Sequence, residues 1–208
     1  MNELVFYSNP QSRGRIAHWM LEEIGEPYET VWLEFGPAMK SAEYLAVNPM
    51  GKVPALKHGD ALVTETAAIC AYLADRFPKA NLMPTANHPA RADYFRWLFF
   101  AAGPLELAVT AKALSWQVPE GKSGFVGFGS YDATIAAVEK ALVPGPYICG
   151  AQFTAADVYV GSQLGWGMMF GTIEKRPLLE DYVGRVYARP AAQEASRLNE
   201  NYLRSRQP

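Results

Sequence analysis

The sequence predicts an α/β domain followed by an all-α domain, and three observations support this. The first 77 residues mix short apolar runs with helical patterns. The remainder shows helical periodicity without a convincing strand. Between them, residues 78–89 (PKANLMPTANHP) are rich in Pro and Asn, as is typical of a linker. We therefore expect a first domain over residues 1–78, a linker over 79–88 and a helical domain over 89–208.

The first domain is predicted to begin with a buried strand and an amphipathic helix. Segment 3–7 (ELVFY) is a short apolar run. Segment 14–25 carries apolar residues at helical spacing, and Gly25 is placed to cap that helix. The pattern then predicts a strand at 28–33, a helix at 41–47, a hairpin of 53–57 and 61–63, and a helix at 65–77. The second domain is predicted to contain helices at 90–116, 131–142, 155–172, 178–189 and 191–204.

Composition and charge exclude several classes of function. The chain has 19 basic against 21 acidic residues and no basic block, so neither nucleic acid nor an anionic membrane is an expected partner. Uncharged stretches are too short for a membrane-spanning helix, and the start MNELVFYSNP lacks the basic region of a secretory signal, which predicts a cytoplasmic protein. Cys70 and Cys149 are far apart in the sequence, so a disulfide framework, a zinc site and a dithiol centre lack support.

The segment NPMGKVPAL, at 48–56, has two interpretations. Pro54 is either an ordinary trans proline that opens an edge strand, or a cis proline. A cis bond would turn the N–H and C=O of Val53 outward, ready to pair with an extended, peptide-like ligand.

Glu65 and Thr66 stand where the helix after the hairpin begins. Free N–H groups at this helix start, with the Thr66 hydroxyl, would hold a carboxylate, and Glu65 would receive an adjacent ammonium. Together they would recognise the end group of an amino acid. The alternative is structural: Thr64 or Thr66 caps the helix and Glu65 favours its first turn.

These features occur in the order of a known family. A βαβ unit, NPMGKVPAL, TETAAICAYLAD at 64–75, a Pro-rich linker and a helical remainder resemble the cytosolic glutathione transferases over essentially the whole chain. FTAAD at 153–157 resembles the family's capping box, in which Thr154 and Asp157 bond each other's backbone N–H groups. We expect that box to be structural.

The resemblance implies a thioredoxin-like N-terminal domain that holds glutathione and an all-helical C-terminal domain with a pocket for a hydrophobic electrophile. Glutathione is then a co-substrate, with no further cofactor and no metal, and a detoxifying homodimeric transferase is expected. Val53 would pair its backbone with the cysteinyl unit beside a cis Pro54, and Glu65 and Thr66 would hold the γ-glutamyl end. Lys52 either binds the glycyl carboxylate or is simply solvated.

The thiol-activating residue is expected near the end of the first strand or the start of the first helix, where related classes use Tyr, Ser or Cys. The candidates are Tyr7, Ser8, Ser12 and, as an amide donor, Gln11; no Cys occurs there. SRGRIAHW partly matches the SRxxRxxW pattern of a fungal and bacterial subgroup, whereas counting back from Gly25 favours Tyr7 and Gln11. We favour Ser12, whose hydroxyl lies at a helix N-terminus, and keep Tyr7 as the alternative.

Two rival functions stay open at this point. A glutathione-dependent peroxidase or disulfide reductase would use the same first site, although the missing cysteine weakens chemistry through a protein thiol. A non-catalytic binding or regulatory protein with the same fold is the other rival, because fold does not dictate function.

Overall fold

The computed structural model describes residues 4–206. Residues 1–3 and 207–208, which the predicted domains include, lie outside the described residues. Contacts divide the chain into two units: one contains the residues up to Asn81 and from Ala188 onward, and the other is Leu82–Tyr187.

The first unit is built on a four-stranded mixed sheet. Its strands are β1 (Leu4–Ser8), β2 (Tyr28–Trp32), β3 (Ala55–His58) and β4 (Ala61–Thr64), in the order β2-β1-β3-β4. β1 is parallel to β2 and antiparallel to β3, and β3 is antiparallel to β4. The helices among them are α1 (Gly14–Ile24), α2 (Ala42–Val47) and α3 (Thr66–Arg76). This confirms the predicted order of elements and the thioredoxin-like architecture.

Alternation along β1 and the stripe on α1 build the core of this unit. Leu4 and Phe6 are buried on one face of β1, and Ile16 and Met20 on α1 are fully buried as well. Gly25 ends α1 as predicted: its φ is 68°, and its N–H donates to the carbonyl of Leu21.

The last helix of the chain, α9 (Pro190–Ser205), groups with the sheet, whereas the sequence placed it in the helical domain. Arg189 forms a bidentate ion pair with Glu23 of α1, with both N···O distances at 2.7 Å. Further along α9, Nδ2 of Asn199 lies 2.9 Å from Nδ1 of His18, and both side chains are buried. Burial lowers the pKa of His18 to about 4, so the ring is neutral near pH 7.

The second unit is helical, as predicted, but its first predicted helix is wrong in extent. Its helices are α4 (Ala90–Phe100), α5 (Glu106–Ala113), α6 (Tyr131–Leu142), α7 (Ala155–Met169) and α8 (Pro177–Tyr187). The pattern predicted one helix over 90–116, whereas a π-helical turn at Ala101–Leu105 separates α4 from α5. Pro104 lies inside that turn and explains it, because proline lacks an N–H and its ring clashes with the carbonyl four residues earlier.

The predicted capping box at the start of α7 is confirmed. Both of its reciprocal bonds are present, and Asp157 Oδ2 accepts the N–H of Thr154 at 2.8 Å. Its Oδ1 accepts the N–H of Ile148 at 2.7 Å and the hydroxyl of Tyr182 at 2.9 Å. Burial raises the pKa of Asp157 to about 6. Over residues 4–206, no helix combines the length and the apolar composition needed to cross a membrane.

Candidate functional site

The ends of three strands, β1, β3 and β4, meet at the same end of the sheet, which is termed the sheet edge below. Tyr7 pairs with Ala55, and Ala55 pairs with Thr64, so these residues form one row across β1, β3 and β4. The strand directions then bring the loop after β1, the turn before β3 and the start of α3 to the same edge. Every residue that was predicted to bind glutathione or to activate its thiol lies in or beside one of these segments.

Buried side chains hold the turn before β3 in place. Asn48 Nδ2 and the Tyr44 hydroxyl both donate to the carbonyl of Lys52, at 2.7 and 2.6 Å. Gly51 has a φ of 57°, and a Cβ there would sit 2.4 Å from a backbone oxygen. The turn therefore presents the next residue, Val53, in a fixed position.

The peptide bond between Val53 and Pro54 is cis. The cis interpretation is thus confirmed and the trans interpretation is wrong. Val53 is half-buried, and its main-chain N–H and C=O form no hydrogen bond with any residue from 4 to 206. Both groups are available to a ligand with a peptide backbone.

The N–H groups at the start of α3 also lack a side-chain partner. No side chain caps the helix, so neither Thr64 nor Thr66 acts as the cap that the structural alternative required. Glu65 has a φ of 67°, which is rare outside glycine and recurs at ligand-binding sites. Its exposed carboxylate has no ion pair within the described chain, and the buried Thr66 has no hydroxyl partner there.

Lys52 comes immediately before Val53 in the sequence. Its main chain is anchored by the two bonds to its carbonyl, while its side chain is exposed. The ammonium makes no ion pair with a carboxylate of residues 4–206. Such a group can receive an anion, although solvation alone also accounts for it.

Ser12 uses its hydroxyl within the loop after β1. Its Oγ donates to the carbonyl of Asn9 at 2.7 Å and accepts the N–H of Gly14 at 2.9 Å. The second bond satisfies one of the free N–H groups at the start of α1. Because a hydroxyl has one proton, Ser12 can donate to a ligand only by turning away from Asn9.

The other activator candidates differ in what they can reach. Tyr7 is half-buried with its ring 5.7 Å from that of Tyr44, and its hydroxyl has no partner among the described residues. Gln11 is exposed, and its N–H donates to the side chain of Asn9. Ser8 is fully buried with an unpartnered hydroxyl, so a ligand cannot approach it without displacing its neighbours.

Comparison with known proteins shows the family of this chain. Models of the glutathione S-transferase N-terminal and C-terminal domains match residues 13–76 and 99–166. The glutathione S-transferase GstA of Escherichia coli O157:H7 is 31% identical over 198 residues, covering 92% of this chain and 96% of that protein. The chain belongs to the glutathione S-transferase family. It is therefore a transferase enzyme.

Solved structures of bacterial transferases share the fold. A glutathione transferase from Methylococcus capsulatus is 30% identical with a TM-score of 0.79, covering 95% of this chain and 98% of that one. A transferase homologue from Sulfitobacter, solved with bound glutathione, is 27% identical with a TM-score of 0.75, covering 95% and 99%.

Sequence reasoning missed residues that shape the site of this transferase. Tyr44 and Asn48 hold the carbonyl of Lys52, and the main-chain carbonyl of Asn9 accepts the hydrogen bond of the Ser12 hydroxyl. Burial raises the pKa of Tyr44 to about 12, so its hydroxyl stays protonated and can donate. The signal for the two asparagines was present, because each precedes a proline, the pattern of an Asx turn. Tyr44 had no comparable local signal.

The helical unit of the transferase contains a cavity of about 580 Å³. It is bounded by α5, the first turn of α6 and the segment between them, including five of the ten glycine-rich residues 121–130. Trp116 contributes an exposed aromatic wall, and Lys112 places its ammonium 3.9 Å from the centre of the Tyr131 ring. A drug-sized apolar molecule fits such a volume.

Proposed function

We propose that this transferase holds glutathione along the sheet edge. Val53 pairs its main chain with the cysteinyl unit, Glu65 and Thr66 bind the γ-glutamyl end, and Lys52 attracts the glycyl carboxylate. The unpaired main chain of Val53 beside a cis proline carries this proposal. Backbone N–H and C=O groups that are shielded from water seldom stay unpaired, and an extended tripeptide offers matching groups.

The γ-glutamyl end is a zwitterion, and the start of α3 complements it. The carboxylate of Glu65 has no partner in the described chain and matches the ligand ammonium. The N–H groups at the start of an uncapped helix, with the Thr66 hydroxyl, match the ligand carboxylate. The charge pattern thus supports one orientation of glutathione along the edge.

Ser12 is the proposed thiol activator, and its existing hydrogen bond limits what it contributes. A hydrogen bond to a charged group is worth about 1.5 to 3 kcal/mol, and a neutral one about 0.5 to 1.5 kcal/mol. Turning from the Asn9 carbonyl to a thiolate exchanges the second for the first, a net gain of about 1 kcal/mol. That gain lowers the thiol pKa by about 0.7 units, and the N-terminal dipole of α1 adds to it.

Tyr7 is the alternative activator, because its hydroxyl has no bond to give up. In either case the thiol loses its proton to solvent, and the thiolate sulfur forms a bond to an electrophilic carbon. The electron pair of the broken bond leaves with the departing group or, in an addition, stays on the acceptor.

The electrophile is proposed to bind the cavity beside α5 and α6, whose walls are largely apolar. We also propose a detoxifying role in the cytoplasm, in which the enzyme consumes hydrophobic electrophiles. A homodimer completes the proposal: Phe95 and Phe99 stack on the exposed side of α4 with their ring centres 6.4 Å apart, and Arg91 lies over Phe95. Light scattering of the protein in solution measures the oligomeric state.

Calorimetric titration with reduced glutathione tests the first site. We expect saturable heat, a rise in melting temperature, and density for glutathione at Val53 in a soaked crystal. S-methylglutathione is the matched control, because it keeps every backbone and end-group contact but has no ionisable thiol. Absence of heat and of stabilisation, together with an empty sheet edge in the crystal, would show that the proposal is wrong.

A further inference from the structure

Two Asn-Pro turns border the sheet edge, and both have the same internal bonding. In Asn9-Pro10-Gln11, the asparagine Oδ1 accepts the Gln11 N–H at 2.9 Å, and its Nδ2 donates to the carbonyl of Leu33 at 2.7 Å. Asn9 is 3% exposed, so these bonds are shielded from water.

The second turn, Asn48-Pro49-Met50, repeats the pattern. Oδ1 of Asn48 accepts the Met50 N–H at 3.1 Å, and Nδ2 donates to the carbonyl of Lys52 at 2.7 Å. Asn48 is 4% exposed. The turn leads directly to Val53, so this asparagine positions the proposed partner of the cysteinyl backbone.

Asn9 differs from Asn48 in one added role. Its main-chain carbonyl accepts both the N–H of Ser12 at 3.1 Å and the Ser12 hydroxyl at 2.7 Å. The side-chain amide fixes the residue, and the residue's carbonyl then fixes the Ser12 oxygen. A second tether holds the same loop, since Arg15 Nε donates to the carbonyl of Pro10 at 2.5 Å.

We propose that Asn9 is a positioning residue for thiol ionisation: its buried amide holds the carbonyl on which the Ser12 hydroxyl rests until a thiolate takes that hydrogen bond. This inference depends on the proposed role of Ser12. Asn9 touches neither sulfur nor electrophile in this scheme. It keeps the Ser12 oxygen in one place, so that only the hydroxyl proton of Ser12 has to turn towards the sulfur when glutathione ionises.

The fixed position of the Ser12 oxygen matters because the hydrogen bond that Ser12 gains to the thiolate is only slightly stronger than the one it gives up to the Asn9 carbonyl. A hydroxyl that has to find the sulfur from several loop conformations loses rotational and backbone entropy at the moment of bonding. A hydroxyl whose oxygen is already placed loses little. Without the Asn9 side chain, the carbonyl of Leu33 and the N–H of Gln11 lose their partners and the loop loosens, while Arg15 still tethers Pro10.

Asn9→Ala and Asn48→Ala form a matched pair for the test, because each removes one buried amide from one Asn-Pro turn. We expect Asn9→Ala to raise the pKa of bound glutathione by about half a unit or more and to lower kcat at neutral pH, with the glutathione Kd changed less than about threefold. We expect Asn48→Ala to raise the Kd about fivefold or more and to leave that pKa unchanged. Thiolate absorbance gives the pKa, and calorimetry gives the Kd.

Combining Asn9→Ala with Ser12→Ala separates this inference from the proposed function. If Asn9 acts through Ser12, the double variant has the same thiol pKa as Ser12→Ala alone. A further shift in the double variant, or no shift in Asn9→Ala while Ser12→Ala does shift, would overturn the positioning role and leave the function intact. No shift in Ser12→Ala would overturn the activator itself.

Asn9→Ser provides a second variant in case Asn9→Ala does not fold. A serine hydroxyl can still accept the N–H two residues ahead, although more weakly than an amide. Its thiol pKa should lie between those of the parent and Asn9→Ala, a graded rescue that simple loss of stability does not produce. A pKa for Asn9→Ser equal to the parent's would contradict the inference, since the bond to Leu33 would then be irrelevant.

Discussion

The two halves of the sheet edge are prepared for glutathione in opposite ways. On the side of β3 and β4, the main chain of Val53 and the side chains of Glu65 and Thr66 have no partners within the described chain. On the side of β1, the loop from Asn9 to Ser12 bonds its polar groups to one another. A ligand meets free groups on one side and groups that must exchange partners on the other.

That difference determines how much binding free energy each half gains from glutathione. A free group gains the full worth of its new hydrogen bond, about 1.5 to 3 kcal/mol when a charge is involved. A group that gives up an internal bond gains only the difference, about 1 kcal/mol for Ser12. The unpaired half should therefore dominate the affinity for glutathione, and the paired half should tune the ionisation of its thiol.

The largest expected effect is in the unpaired half. Glu65→Ala should raise the glutathione Kd at least tenfold, because the ligand ammonium loses its carboxylate at a cost of about 1.5 to 3 kcal/mol. Calorimetry measures the change, and thermal unfolding checks that the variant folds despite the positive φ at this position.

Glu26→Ala is the matched control for that prediction. Glu26 is an exposed acid just before β2, at the opposite edge of the sheet from Glu65. The Glu26→Ala substitution removes the same charge at a position outside the proposed site. If a folded Glu65→Ala protein binds glutathione as tightly as Glu26→Ala does, the γ-glutamyl assignment is wrong.

The conformation of the unpaired half also follows more directly from the sequence than that of the paired half. Its signals are local: a proline after Val53, and an acid and a threonine where a helix begins. The paired half depends on contacts that a local pattern cannot reveal, such as the bond from Asn9 to Leu33, 24 residues away. The sequence predicted the Ser12 hydroxyl as a donor at a helix N-terminus, whereas the structure shows that it donates to the carbonyl of Asn9.

The same distinction explains the rest of the fold. Helices and strands of the first unit follow from periodicity, and Gly25 ends α1 as its type predicts. The placement of α9 with the sheet depends on Arg189 and Glu23, which are 166 residues apart. The break between α4 and α5 is different, because its cause, Pro104, is a local signal. The helical spacing on both sides of Pro104 nevertheless predicted one continuous helix.

A smaller effect is expected in the paired half. Ser12→Ala should raise the pKa of bound glutathione by about 0.7 units and leave the Kd nearly unchanged, because the hydroxyl stabilises the thiolate more than the thiol. Thiolate absorbance, titrated with pH for the parent, Ser12→Ala and Tyr7→Phe, gives the shift. Thiolate attack is then slower below the raised pKa and recovers as the pH rises through it.

Tyr7→Phe separates the two candidate activators. A shift in Tyr7→Phe alone would move the role to Tyr7, whose hydroxyl has no internal bond to exchange. A shift well above one unit in Ser12→Ala would contradict the balanced exchange with Asn9. If neither variant shifts, backbone N–H groups, Gln11 or the dipole of α1 must support the thiolate.

The smallest expected effect concerns Lys52, whose exposed ammonium solvation alone can account for. An exposed ion pair is worth about 0.2 to 1 kcal/mol, so Lys52→Ala should raise the glutathione Kd by no more than about fivefold at low salt. The effect should vanish near 1 M salt, where the Debye length falls to about 3 Å. Lys57→Ala, which removes an exposed lysine from β3, provides the control. Equal losses in both variants would mean that Lys52 contributes only general positive charge, and that the glycyl carboxylate of glutathione binds elsewhere on the edge.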